Sequence, residues 1–244
     1  MKSRRDDGFT IIELLIATTV LSVILLLVTT MMIGMGNLFY KGINQSRVQD
    51  GVRGTLDEIT QQLQLSDVHP AQGTDSANSD EQVYCLGNTR YSFVYDVQIG
   101  SRYNGRNYHH ILWRDTKPGC DPTKGVKLTI DDPDRVGARN AGTDGAELIA
   151  PNSRLASFCV GTATTDKNSC SQTLTSPFTV SVGMAYGDDS TLCDAGTTSP
   201  LDDCSQTTTS THLVNPAGQI LCKTQIGDQF CATSYLSTTV ANRL

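Results

Sequence analysis

Aromatic residues are scarce in this chain of 244 residues, at 6%, and charged residues reach only 18%. Bases are the scarcer sign: 19 Lys and Arg face 25 Asp and Glu, for a formal net charge of −6. From residue 67 onward the deficit persists, with 13 bases against 19 acids and no basic run interleaved with aromatics. A surface of that sign repels the phosphate backbone, so no nucleic-acid partner is expected. No CxxC pair, HExxH, GxSxG, Walker loop or dinucleotide fingerprint occurs. Each of these supplies a defined chemistry, and without them the expectation is no enzyme, no metal and no cofactor. No cysteine precedes Cys85, and a single long apolar run lies wholly before it, which excludes a polytopic membrane protein.

That run is what the N-terminus has in place of charge. Residues 14–35 carry no charged side chain and no proline. At 1.5 Å per residue they make roughly 33 Å of helix, enough to cross a bilayer core. Lys2, Arg4 and Arg5 precede the run, and basic residues there favour holding the extreme N-terminus in the cytoplasm while the rest is exported. An ordinary cleaved secretory signal would end at a small-residue site, but the apolar run passes Ala17 without a break. Glu13 stands at the threshold of the run, where a bare carboxylate costs a few kcal/mol and serves no simple anchor.

The order Gly8-Phe9-Thr10-Ile11-Ile12-Glu13-Leu14-Leu15, behind a short basic leader, resembles the class III signal of type IV prepilins and type II secretion pseudopilins. The resemblance implies a leader at 1–8 and cleavage between Gly8 and Phe9 by a prepilin peptidase. It also implies N-methylation of Phe9, and an assembly role for Glu13, which would pair with the N-terminal amine of a neighbouring subunit. A carboxylate and an ammonium in a low-dielectric bundle neutralise each other, whereas either alone is penalised. The other partners it implies are further pilins or pseudopilins, through the N-terminal helix, and an inner-membrane assembly platform.

Beyond the span, Val48, Val52, Leu56, Ile59 and Leu63 share one helical face, while Arg47, Asp50, Arg53, Asp57 and Glu58 lie off it. One helix is therefore expected over 9–66, transmembrane at 14–35 and amphipathic after it. Gly34, Gly36, Gly42, Gly51 and Gly54 are either flex points or tolerated positions. An exported β-rich domain follows at 67–244. Residues 69–81 read as a loop, and strand alternation is clearest in Tyr91, Phe93, Tyr95, Val97 and Ile99 and in Phe178, Val180, Val182, Met184 and Tyr186. Shorter candidates span 108–113, 126–130, 155–160 and 234–240. The expected fold is α+β and pilin-like, a long N-terminal helix on an antiparallel sheet. The feature order Arg47-Val48-Gln49-Asp50, Leu112-Trp113-Arg114, Glu147-Leu148-Ile149 before Phe158, and the terminal Thr238-Thr239-Val240-Ala241-Asn242-Arg243-Leu244 resembles PilW-type minor pilins and J-type pseudopilins. Two polar insertions, 162–177 and 187–218, depart from that pattern.

The eight cysteines all follow the export signal and read as four disulfides formed in an oxidising compartment. Nearest-neighbour pairing is expected: Cys159 with Cys170, Cys193 with Cys204, Cys222 with Cys231, and Cys85 with Cys120. Asp131, Asp132, Asp134, Asn140 and Asp144 form the best calcium candidate, yet their spacing fits no EF-hand and a solvated turn is the expectation. Asp188-Asp189 and Asp202-Asp203 make no better one. His109 and His110, adjacent on a strand, would face opposite ways and are expected to be structural. Residues 207–211 read as a flexible Thr/Ser loop. The function these features imply is a minor pilin-like structural subunit, held single-pass in the inner membrane with its C-terminal domain in the periplasm or outside. It would then be assembled at or near a filament tip. A minor pseudopilin of a type II secretion system, or a tip adhesin, are the alternatives, and bulky loops on a large chain favour a minor over a major subunit.

Overall fold

The uninterrupted run of apolar and helix-forming residues after Thr10 makes one helix, α1 (Ile11–Leu65), of 55 residues, about 80 Å long. The structure is a computed structural model that describes residues 10–65, 70–129, 143–162, 177–188, 191–194, 220–222 and 230–241. All five glycines of α1 lie within it without interrupting it, and Gly34, Gly36, Gly42 and Gly54 face open space. The helix divides by what covers it. Every residue from 11 to 35 is exposed, and the first buried side chain is Asn44. From there the stripe Val48, Val52, Leu56, Ile59 and Leu63, joined by Thr55, is buried.

The C-terminal half of α1 is the spine of a two-sheet domain. The first sheet uses β1 (Ala71–Thr74), β2 (Gln82–Leu86) and β3 (Thr89–Phe93). A small ribbon, β4 (Arg102–Tyr103) and β5 (Arg106–Asn107), stands apart before β6 (Leu112–Thr116) and β7 (Thr143–Glu147) complete the sheet. Its order is β1-β2-β3-β6-β7, antiparallel throughout. The second sheet has β8 (Ser153–Thr162), β9 (Phe178–Tyr186) and β12 (Ala232–Val240), with β9 central. Between them in sequence, β10 (Leu192–Asp194) and β11 (Ile220–Cys222) pair as a ribbon. α1 lies against β12 and β9, where Gly51 passes Met184 and Gln45 donates from Nε2 to the Thr233 carbonyl at 3.1 Å.

One apolar core joins helix and both sheets. Its centre is aromatic: Phe158 of β8 meets Phe93 edge-on at 4.8 Å and Tyr84 at 5.1 Å, while Tyr84 stacks on Phe93 at 5.5 Å. Pairs in these offset and T-shaped arrangements add about 0.5–1.5 kcal/mol each beyond the area they bury. At the sheet edge, β1 comes so close to the loop after β6 that a Cβ on Gly73 would stand 2.5 Å from the Pro122 carbonyl oxygen, so only glycine fits.

The expected α+β architecture is present: a long N-terminal helix and antiparallel sheets. Several strand expectations change. Residues 71–74 form β1 where the composition predicts a loop, and β2 and β7 add strands beyond those the alternation predicts. Alternation from Tyr91 to Ile99 does not give one strand. β3 ends at Phe93, and Asp96 takes a left-handed φ of 55° that turns the chain. Residues 126–129 form no strand, although Val126 and Leu128 are buried, because apolar alternation marks burial and does not require a ladder. Two disulfides are formed among the described residues, Cys85–Cys120 and Cys222–Cys231, and Cys159 is also disulfide-bonded. Cys170 and Cys204 lie outside the described residues, as do 207–211.

One charged contact joins neighbouring strands and another ties the helix to the same sheet. Arg90 and Asp115 face each other across β3 and β6, 1% and 2% exposed. Arg90 Nε donates to Asp115 Oδ1 at 2.9 Å, its Nη2 to Oδ2, and its Nη1 to the Lys124 carbonyl at 2.9 Å. Glu58 of α1 pairs with Arg114 of β6 at 3.2 Å. Burial pushes the Glu58 carboxyl up, and the Arg114 guanidinium and the Tyr91 hydroxyl oppose that rise only in part.

Removing one partner of a buried pair strands the other, so Asp115→Ala is expected to cost about 3–5 kcal/mol, read as a shift in the denaturant midpoint. A cost near that of a surface substitution contradicts the assignment. Because the raised Glu58 carboxyl binds its proton more tightly folded than unfolded, its contribution to stability is full below the unfolded value of 4.5 and lost as pH rises through the folded one. Glu58→Gln should therefore gain stability relative to the parent as pH rises above 4.5, measured by parallel denaturation series. A constant difference across that window counts against it.

Candidate functional site

The start of α1 carries the one part of the chain whose chemistry the sequence singles out. Thr10 is the N-cap. Glu13 donates its backbone N–H to Thr10 Oγ1 at 3.4 Å, and the Glu13 carboxylate accepts from the Thr10 N–H at 3.0 Å and from the Thr10 hydroxyl at 2.8 Å. Leu14 closes the first turn onto the Thr10 carbonyl at 3.2 Å. This is a capping box, with Thr and Glu three apart satisfying two otherwise orphan amide donors. The carboxylate also sits at the positive end of the helix dipole. Glu13 is thus already hydrogen-bonded within its own chain. The Thr-x-x-Glu spacing was visible in the sequence, but a reading of Glu13 as an assembly residue alone passes over it.

Further along, the exposed apolar half contains hydroxyls that would be costly in lipid if left unpaired. Thr18, Thr19, Ser22, Thr29 and Thr30 each donate to the carbonyl three or four residues back, at 2.7–3.0 Å. With those donors satisfied inside the helix, its outer surface is effectively hydrocarbon, as a lipid-facing segment requires. The helix is long and apolar enough to cross a membrane, with a mean hydropathy of 2.8 in its most apolar stretch.

A prokaryotic N-terminal methylation motif matches residues 3–29. The chain carries the signature typical of type IV pilins and pseudopilins. No curated protein and no solved structure matches it. The pilin-like motif implies processing by a prepilin peptidase and assembly with other pilins, and the apolar helix behind it is consistent with membrane anchoring of a pilin. Within the motif, Thr10 and Glu13 are brought together as described, whereas Gly8 and Phe9 lie outside the described residues.

The remaining candidates are not assembled into a site. Asp131, Asp132, Asp134, Asn140, Asp189, Asp202 and Asp203 fall outside the described residues, and Asp144 sits alone in β7 with a φ of 55°. His109 and His110 are in a loop rather than on a strand; both backbone N–H groups donate to the Leu128 carbonyl, at 3.0 and 3.1 Å. The His110 ring meets Trp113 edge-on at 4.6 Å, and its Nδ1 lies 3.3 Å from Glu147 Oε2. Glu147 does more than mark a pattern. Its carboxylate accepts from the backbone N–H of Ile111, Leu112 and Ile149 at 3.0–3.2 Å, stapling β7 to the start of β6. No spacing rule reports such a staple, since the Ile111 and Leu112 amides that it holds lie far away in sequence.

Loss of the cap is the sharpest test of the geometry at the helix start. Thr10→Val is expected to cost about 1 kcal/mol there, seen as faster amide exchange confined to the first turn of α1 in detergent micelles. Exchange unchanged from the parent contradicts the capping box.

Proposed function

We propose that the chain is a minor pilin-like structural subunit of a type IV pilus or related filament, assembled at or near its tip. The observation that carries this reading is the methylation motif at the head of a helix whose residues 11–35 have no cover within their own chain. In this account residues 1–8 are the leader, removed between Gly8 and Phe9, and Phe9 is methylated. Residues 9–66 form the assembly helix and 67–244 the exported domain, held in the inner membrane until extraction into the filament. The large two-sheet domain with its disulfides supports a minor over a major role, because such bulk would crowd every contact of a repeating body. The feature order around Leu112, Glu147 and Thr238 supports a PilW-type or J-type subunit.

Glu13 has a defined part in this account. In the monomer its carboxylate is held by Thr10; in the filament it would exchange that partner for the methylated amine of a neighbour. The exchange costs little, since one charge-assisted set of hydrogen bonds replaces another in a low-dielectric bundle.

The test is recovery of the chain with sheared filaments. The parent chain is expected there at low stoichiometry relative to the major subunit, and Glu13→Ala is expected to be exported and folded but depleted from filaments. Equal incorporation of Glu13→Ala overturns the role of that residue. Abundance equal to the major subunit overturns the minor assignment, and binding of surfaces or cells by the recovered chain would point to the adhesin alternative.

A further inference from the structure

We propose that Phe39, Tyr40 and Phe230 form an aromatic foot that seats the exported domain in the outer headgroup layer of the membrane that α1 crosses. The inference rests on the membrane-anchored reading of α1 and adds to it a contact made by the globular domain itself.

Depth is the first argument. At an average tilt of about 20°, residues 14–35 just fill a hydrocarbon core of about 30 Å. Phe39 and Tyr40 then lie about 7 Å farther out, inside the headgroup layer, and side chains on a helix lean back toward its N-terminus, which is toward the core. They are 67% and 55% exposed, so their own domain leaves more than half of each side chain uncovered. Interfacial aromatics of this kind are the usual anchors at a membrane boundary.

Phe230 is the second argument, because it reaches the same level from a remote part of the chain. Its ring stands 6.3 Å from that of Tyr40. It is 50% exposed, and outside α1 the only other exposed large apolar side chain among the described residues is Tyr103. The next residue, Cys231, is buried and bridged to Cys222, so the backbone that presents Phe230 is fixed. A phenylalanine held rigidly half in water loses part of its burial energy in solution and regains it against acyl chains.

A groove lies behind the ring. It has a volume of about 380 Å³ and is lined by Tyr40, Ile43, Tyr186 and Phe230 with Asn152 and Asp188. Arg47 lines it as well, and a lining that mixes aromatic rings with charged and polar groups matches a layer that is apolar on one side and hydrated on the other. Continuity with the uncharged surface of α1, which runs unbroken from residue 14 to Tyr40, makes the bilayer of that same membrane the occupant.

The test uses the full chain in vesicles of phosphatidylethanolamine and phosphatidylglycerol doped with phosphatidylcholine brominated at shallow or deep acyl carbons. Trp113 is the single tryptophan and is buried in the core, so it supplies an unchanging reference. Phe230→Trp is expected to add a blue-shifted emission that is lost with shallow bromines. Leu26→Trp is expected to add one lost with deep bromines. Quenching of Leu26→Trp without Phe230→Trp overturns the foot and leaves the span standing. If neither is quenched, the membrane reading falls and the foot falls with it.

Discussion

The structure depends on an apolar half-helix that its own domain does not bury. Fully burying a Leu, Ile, Val or Met side chain is worth about 1.5–3 kcal/mol. Residues 11–35 consist mostly of such residues, all of them exposed. Their combined demand for cover amounts to tens of kcal/mol, which exceeds the roughly 5–15 kcal/mol that stabilises a whole domain. The two-sheet domain leaves that demand unmet, so the cover has to come from outside the chain, as a membrane or the helices of other pilins would supply it. The hydroxyls turned onto the helix's own carbonyls and the cap closed between Thr10 and Glu13 answer the same constraint. They pair the hydroxyls of the segment and part of its first turn before it enters an apolar surrounding.

The two-sheet domain answers a different constraint. It must hold its own fold beside a half-helix that it leaves uncovered. It does so by making the C-terminal half of α1 part of its own core, so Val48, Val52, Ile59 and Leu63 are as deeply buried as Phe93 and Phe158 of the sheets. Polar contacts then fix what apolar packing leaves free. The buried Arg90–Asp115 pair sets the relation of β3 to β6, Glu58 with Arg114 ties the helix to that sheet, and Glu147 staples β7 to the start of β6. The Cys85–Cys120 bridge closes a separation of 35 residues, worth about 4 kcal/mol in the chain-entropy view.

The N-terminal half was legible in the sequence because its determinants are local. Charge exclusion, helical periodicity and a short motif all act within a few residues, and the helix begins at Ile11 and ends at Leu65, close to where those signals place it. Strands with clean alternation were legible for the same reason: Phe178 to Tyr186 is β9. What the sequence hid was long-range. β1 is short, polar and at a sheet edge, and only its pairing with β2 reveals it. The turn at Asp96 interrupts an alternation that continues past it, and the roles of Glu147 and Phe230 come from partners distant in sequence. The capping box is the exception, a local signal eclipsed by a more specific reading of the same glutamate.

The central claim is that the segment around Gly8 is a processing signal and the helix behind it an assembly element. The most direct measurement is mass spectrometry of the N-terminus of the chain recovered from assembled filaments. The account predicts a chain that begins at Phe9 and carries one methyl group on its amine. A chain in filaments that still begins at Met1 would contradict it.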